Sequence, residues 1–400
     1  MASAIPHTSK PAALDAKTQP SATDTDLVLE PANALEYVHT WYLNADEWKG
    51  PLSLDQYLER ETYLKELDLT KDAQITAWIL TSSTLPPNED GSRPILAACE
   101  TLLKHAYVAR NGKVDKILAH GIASVYTRPE YRGKGYAGRM MAELGRKLES
   151  WQQKDQDKGT FSVLYSDIGQ EFYTRFGWEV FPSTHIILQP MDQAAYGELR
   201  HDHPHVGELD SEDVANIPAA QYVEEDLRQL STQKPEVPYV AVRPDIEHFA
   251  WHHAREEFQA KALGKGFPEV KGAIHRATGV ALVWCRVYAS KPADWQLQIL
   301  HTVIPNDLKD SSEAEEALAA LLLRAQLEAH DWEMVAGVEV WDPQDIVVRA
   351  AQRLRKEEEG KVEVISRDKE HVCSLRWIGG RPEDKEGPVV WLSIEKYAWC

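Results

Sequence analysis

One short segment constrains this chain more than any other: Arg128-Pro-Glu-Tyr-Arg-Gly-Lys-Gly-Tyr-Ala-Gly138. It lies between a run that reads as a strand, Lys116–Thr127, and one that reads as a helix, Arg139–Trp151, in which Met140, Met141, Leu144 and Leu148 share a face. Glycines at 133, 135 and 138 let backbone approach a ligand closely. The following helix aims its N-terminal amides and the positive end of its dipole at whatever occupies the loop. Phosphate is the natural occupant, and Arg132 and Lys134 add positive charge. No Lys-Ser/Thr pair follows, so this is not a Walker A loop, and it is not a GxGxxG in a βαβ unit.

The flanking pattern extends into a full unit. Leu27–Glu30 reads as a strand, Ala34–Asn44 and Leu54–Leu67 as helices, and Gln74–Thr81 as a strand. Ile95–Arg110 meets Lys116–Thr127 across Asn111-Gly112, a strong hairpin signal. Phe161–Tyr165 is a buried-type strand, Gly169–Phe176 a short helix stopped by Gly177, and Trp178–Phe181 and Thr184–Leu188 are strands. The second half repeats the order. Gly272–Arg276, Val280–Ala289 and Trp295–Ile304 are strands, Ala314–Ala329 is a helix and Gly337–Trp341 a strand. Ile346–Leu354 is a helix, and Val362–Ser366 and Val372–Ile378 are strands. The expected partition is a flexible arm over 1–24, a unit over 25–190, a linker over 191–210 and a second unit over 211–400.

A formal net charge of −19 repels phosphate backbones and argues against nucleic acid as a partner, while attracting cations such as amines. Cys99, Cys285, Cys373 and Cys400 are far apart, so a reducing, cytoplasmic interior fits best. No apolar run is long enough to span a membrane, and the N-terminus lacks the apolar core of a secretory signal. No metal site is expected. His201-x-His203-x-His205 lacks a companion acid or cysteine at zinc-site spacing and reads as a solvated linker.

Val125-Tyr-Thr-Arg-Pro-Glu-Tyr-Arg-Gly-Lys-Gly-Tyr-Ala-Gly138, followed by Phe172-Tyr-Thr-Arg-Phe-Gly-Trp178, resembles the GNAT superfamily of N-acetyltransferases over about residues 26–189. The resemblance implies a GNAT fold, a mixed α+β or α/β architecture with a central sheet flanked by helices. It implies acetyl-CoA as cosubstrate, held by backbone amides from Arg132 through Gly133, Lys134, Gly135, Tyr136 and Ala137 to Gly138. Val125, Tyr126 and Thr127 would line the pantetheine arm. Tyr173 matches the tyrosine that protonates the leaving thiolate. The superfamily often has Asn near Asp167, and this chain departs from it there.

The segment Ser166–Trp178 looks like the Eis-type enzymes, which carry tandem acetyltransferase folds. The full layout, with Trp251-His-His-Ala-Arg-Glu-Glu-Phe258 and Glu395-Lys-Tyr-Ala-Trp-Cys400, looks like fungal lysine N-acetyltransferases of the lysine-catabolic type. That likeness implies a primary-amine acceptor, best matched by the N6 amine of free L-lysine, with another small amine or a protein lysine next. A coenzyme A-binding scaffold is the reading from a different class. Pro305–Ser312 occupies the matching place in the second half but has no glycines and adds acids, so that half reads as a degenerate, non-binding copy. Two groups compete as general base. His120 lies on the strand before the loop and titrates near neutrality. The Eis-type enzymes suggest instead the terminal carboxylate, here of Cys400, carried by an aromatic, apolar segment.

Overall fold

A computed structural model describes residues 9–153, 160–200, 205–355, 360–379 and 388–399. In the first half the elements are β1 Leu27–Pro31, α1 Ala34–Trp48, α2 Leu54–Lys65, β2 Ile75–Ser82, β3 Ala97–Arg110 and β4 Lys113–Tyr126. They continue with α3 Tyr136–Lys147, β5 Thr160–Ser166, α4 Glu171–Thr174, β6 Glu179–Val180 and β7 Thr184–Leu188. The early helices start where the sequence places caps. Asn33 with Glu36, and Ser53 with Gln56, form reciprocal capping boxes.

The second half runs α5 Gln193–Leu199, β8 Val206–Leu209, α6 Ser211–Ala215, α7 Ala219–Gln233, β9 Tyr239–Val242 and α8 Ile246–Ala262. It continues with β10 Gly272–His275, β11 Val280–Val287, β12 Gln296–Val303, α9 Ser312–Asp331 and β13 Val338–Trp341. It ends with α10 Asp345–Arg353, β14 Ile365–Ser366, β15 Val372–Ile378 and β16 Val390–Trp391.

Among the described residues these strands form two mixed sheets. One is nine-stranded, ordered β1-β2-β3-β4-β5-β15-β6, with β9 pairing on β3 and β16 on β9. The other is seven-stranded, ordered β14-β7-β13-β12-β11-β10-β8. Each contains a parallel pair at the equivalent place, and the first sheet has a second one between β9 and β16. His120–Ile122 of β4 pairs with Ser162–Leu164 of β5, and Leu297–Ile299 of β12 pairs with Val338–Val340 of β13. Beyond those residues each parallel pair splays apart. α3 packs Met140, Met141 and Leu144 onto the first sheet, and α9 packs Leu318, Leu321 and Leu322 onto the second. A third cluster joins the sheets, setting Val108, Phe161 and Val163 against Val283, Leu300, Phe249 and Tyr397.

The sheets do not follow the expected cut at 190. β7 precedes it but pairs with β13 in the second sheet, and β15 follows it but pairs with β5 in the first. The reason is the ladder. β5 and β13 each have one side taken by their parallel neighbour, and the exchanged strand satisfies the backbone groups on the other side. Residues 191–210, expected as linker, contain α5 and β8, which pairs with β10. His201 and His203 lie outside the described residues.

The arm also differs from expectation. Over residues 9–24 it is laid against the loop that precedes α3. Tyr131 Oη accepts the Leu14 N–H at 2.7 Å, Arg128 donates to the Pro11 and Ala12 carbonyls at 3.1 Å, and Tyr136 Oη donates to the Pro20 carbonyl. Leu14 and Ala22 give it apolar purchase on the first core. No helix among the described residues is long and apolar enough to cross a membrane.

Candidate active site

The splay between β4 and β5 opens onto a cavity of about 760 Å³ that runs from the Gly-rich loop to the helices α1, α2 and α8. At the loop end, Gly133 and Gly135 have φ of +76° and +86°, values that disfavour any side chain. Gly135 is the N-cap of α3, and no side chain caps that helix. No acid lies in its first turn, and a Cβ at Gly133 would meet nothing within 4 Å. The first amides of α3 are therefore available to an anion. The hydroxyl of Thr127, buried and without a hydrogen-bond partner among the described residues, lines the same space. These residues fit a diphosphate and the arm that follows it.

Val125, Tyr126, Thr127, Arg132 and Ala137 line the cavity. Arg132 is held by the Thr127 carbonyl at 3.0 Å and by Glu47 at 3.1 Å. Lys134 is exposed and donates to Gln19 of the arm. Gly138 serves packing instead. A Cβ there would stand 3.1 Å from the Phe176 ring, so its absence lets α4 lie against α3.

Tyr173, on α4, lines the cavity and is mostly buried. Burial raises its phenol well above the ordinary value, helped by the neighbouring Cys99 and Asp167. It therefore keeps its proton at neutral pH and is available as a donor. Asp167 accepts the His371 backbone N–H at 3.0 Å and lies 2.9 Å from His371 Nδ1. Burial acts to raise its carboxyl, but these His371 contacts outweigh that and hold it below its ordinary value. The position is thus tied to the second half of the chain.

His120 is placed elsewhere. It is buried, faces Gln152 Oε1 at 3.2 Å and is absent from the cavity lining. Burial lowers it to about 4, against the bond to Gln152. Its ring is therefore set apart from the cavity that Glu100 and Tyr173 line. Cys400 lies outside the described residues, but its neighbour Trp399 lines the cavity. Behind Trp399 the tail is anchored in the second sheet. Glu395 accepts the Thr302 N–H at 2.8 Å and lies 2.5 Å from His301 Nδ1. Lys396 sits over the Trp341 and Trp399 rings at 4.2 and 3.8 Å, and burial pushes its ammonium down to about 7. Tyr397 is fully buried and donates to the Val242 carbonyl at 2.6 Å.

The residue that sequence reasoning missed is Glu100. It lies on β3, beside the loop-bearing strand, and lines the cavity. Opposite it β4 bulges, with a register shift between Ala98 and Glu100, and Ser124 there adopts φ +52°. The bulge brings the Ser124 hydroxyl to donate to Glu100 Oε2 at 2.5 Å. Burial raises the Glu100 carboxyl above its ordinary value, against that bond, and Glu61 adds to the rise. A signal was present: Glu100 is the one ionisable carboxylate in the run Ile95–Leu103, whose other residues except Thr101 are apolar. Tyr37, Trp41 and Tyr57 line the same end of the cavity.

Residues 187–400 match the family described as the LYC1 GNAT-like C-terminal domain, and residues 96–181 match the acetyltransferase (GNAT) domain. The chain is 26% identical to the uncharacterized protein YGR111W of Saccharomyces cerevisiae, over 95% of this chain and 99% of that protein. It is 34% identical over 147 residues to a Yarrowia lipolytica protein named lysine acetyltransferase, covering 33% of this chain and 35% of that one. A structure from Enterococcus faecalis, described as a probable N-acyltransferase, shares the fold with a TM-score of 0.50 at 14% identity, over 88% of this chain and 73% of that chain. With an open cofactor-type loop in the first sheet and a GNAT-like second sheet behind it, the chain belongs to the acetyl-CoA-dependent GNAT N-acetyltransferases that carry the LYC1 GNAT-like C-terminal domain.

Proposed function

We propose that this protein transfers the acetyl group of acetyl-CoA directly to a primary amine, and that the N6 amine of free L-lysine is its best acceptor. The observation that carries the transfer reading is a single cavity. It joins the uncapped start of α3 to a buried carboxylate, with a protonated phenol along its wall. The lysine reading draws on the partial likeness to the Yarrowia protein of that name.

When bound, the cosubstrate supplies an acetyl thioester. The α3 amides and Arg132 hold its diphosphate, and Val125–Thr127 line its arm along the splayed end of β4. Glu100 takes a proton from the substrate ammonium, directly or through one water, and so frees the amine lone pair. Its raised pKa narrows the gap to an ammonium and makes it a better acceptor than an ordinary carboxylate. Tyr37, Trp41 and Tyr57 line the cavity wall that the amine would enter. The freed amine attacks the thioester carbonyl, and its C–N bond forms as the C–S bond breaks; Tyr173 gives its phenolic proton to the departing sulfur and recovers one from the acylated nitrogen, directly or through water.

The test is thiol release from acetyl-CoA with a panel of L-lysine, other small amines and lysine-containing peptides. L-lysine is expected to give the highest kcat/KM. A peptide that outperforms it redirects the reading to protein lysines, and acetyl-CoA binding without turnover of any amine overturns it.

A further inference from the structure

The charges around the cavity are paired with two exceptions. Arg132 is matched by Glu47, Arg60 by Glu61, Lys65 by Glu66 and Asp167 by His371. Glu100 is left, held by a serine hydroxyl, and so is Arg255, which forms no ion pair among the described residues. Arg255 is on α8, one turn after Trp251, and its guanidinium lies 5.9 Å from the Trp251 ring and 5.2 Å from the Trp399 ring. α2 packs on α8 here, with Tyr63 stacked on Phe258 at 6.3 Å. This brings Arg60 into the same wall.

Arg60 supplies an independent sign of a missing anion. It is 2% exposed, and two of its nitrogens are engaged: Nε with Glu61, and one terminal nitrogen with Glu61 and the Trp48 carbonyl at 3.2 Å. The other terminal nitrogen is buried with no partner among the described residues. A buried, unsatisfied guanidinium donor costs free energy unless a ligand completes it. Burial, and then the Arg60 charge, push the Arg255 cation down to about 10, against the nearby Glu61, which is itself engaged by Arg60.

We propose that the α2–α8 end of this cavity is a carboxylate-binding site formed by Arg255 and Arg60, which selects amines that also carry a carboxylate. The inference rests on the acetyltransferase reading above and deepens it: the acceptor is an amino acid, held by its acid at Arg255 while its amine meets Glu100. Planar guanidiniums suit this role because they bind a carboxylate through two parallel hydrogen bonds. The indoles of Trp251 and Trp399 beside Arg255 shield that contact from water and strengthen it.

The experiment compares L-lysine with 1,5-diaminopentane, which has the same reacting amine and no carboxylate, and with L-lysinamide. Wild type is expected to favour L-lysine over both by roughly 10²-fold in kcat/KM, the scale of a charge-assisted bidentate contact. Arg255→Gln should remove most of that preference by raising the KM for L-lysine. It should leave diaminopentane within about threefold of wild type, as the loss of a contact that ligand never made requires. Arg255→Lys should fall between. Acetyl-CoA affinity and the circular dichroism spectrum serve as folding controls. If Arg255→Gln misfolds, Arg60→Lys, which keeps the charge but loses the free terminal N–H, tests the same site. Equal losses on all three amines, or none, overturn the carboxylate site. If wild type releases no thiol with any amine, calorimetric binding of L-lysine that disappears in Arg255→Gln still supports the site and sinks only the transfer reading; absence of that binding sinks both.

Discussion

α3 and α9 begin at matching places in the two sheets, each just after the strand that starts the splay, yet their first turns are opposites. α3 starts at a left-handed glycine, has no side-chain cap and has no acid in its first turn. α9 starts at Ser311, whose side chain accepts the Ala314 N–H, and Glu313 and Glu315 follow at once. The first arrangement leaves donors and a positive field for an anionic ligand. The second satisfies its own donors and repels one. The splays differ in the same way. The β4–β5 splay opens onto the cavity. In the second sheet, Glu395 bonds to Thr302 of β12, and Lys396 covers Trp341 of β13, so the tail occupies that splay. One architecture therefore serves as a binding cleft or as a support, according to whether the helix amides and splayed strands find partners within the chain.

The largest effect should come from giving α3 the acid that α9 carries. Gly135→Asp sets a carboxylate against the diphosphate, forces a side chain into φ +86° and drives its Cβ to 3.2 Å from Ala22. Loss of acetyl-CoA affinity by at least about 10²-fold is expected from the charge and strain together. Calorimetry that finds wild-type affinity breaks the contrast between the two helix starts.

Glu100→Gln should come next, lowering kcat by roughly 10²–10⁴-fold, the range of acid–base contributions, with acetyl-CoA affinity retained. The sign of the pH dependence follows from the raised carboxyl. Glu100 works as an anion, so the acid limb of kcat/KM in wild type should lie above the ordinary carboxylate value of 4.5. The same shift acts on stability. A raised carboxyl stabilises the fold while protonated and loses that contribution as pH rises through its folded value. Glu100→Gln should therefore melt later than wild type at pH 8, and that advantage should fade as pH falls and the wild-type carboxyl becomes protonated. An unchanged melting point with unchanged turnover removes Glu100 from the mechanism.

Tyr173→Phe is expected to lower turnover by roughly 10²–10³-fold, somewhat less because water can reach a leaving sulfur. Turnover within a few-fold of wild type would make Tyr173 a packing residue. A smaller effect is expected in the supporting sheet. Glu395→Ala strips the partner from the buried Thr302 N–H and loosens the strand end that presents Trp399. Amine KM should rise by about 10-fold or less, with a stability loss of about 1–3 kcal/mol from the unpaired donor. At the bottom of the scale, Asp307→Ala in the second loop should change neither kcat nor acetyl-CoA stoichiometry, which stays at one per chain. A second coenzyme bound per chain would erase the contrast.

Much of the first sheet was legible because its signals are local. The Asn111-Gly112 turn, the apolar face of α3 and the glycines before it each depend on neighbours a few residues away, and β7 appears at its predicted bounds of Thr184–Leu188. Which sheet β7 joins was not legible. Its partner, Val338–Trp341, is more than a hundred residues away, and alternation along a strand does not name the edge it will meet. The same holds for the candidate site. The loop and Tyr173 announce themselves in sequence. Glu100 faces the cavity because of a bulge in the strand opposite, Trp399 because Glu395 is held by His301 and Thr302, and Arg255 because α8 packs on α2. By itself the sequence determined the glycine-bearing loop between β4 and α3, the order of elements from β1 to β7 and the loss of the loop's features in the second half. Those follow from short-range geometry and residue chemistry. Tertiary structure alone decided which strands are exchanged, which carboxylate is buried beside the loop and which cation is left without a partner, because each depends on long-range packing that brings distant segments to one wall.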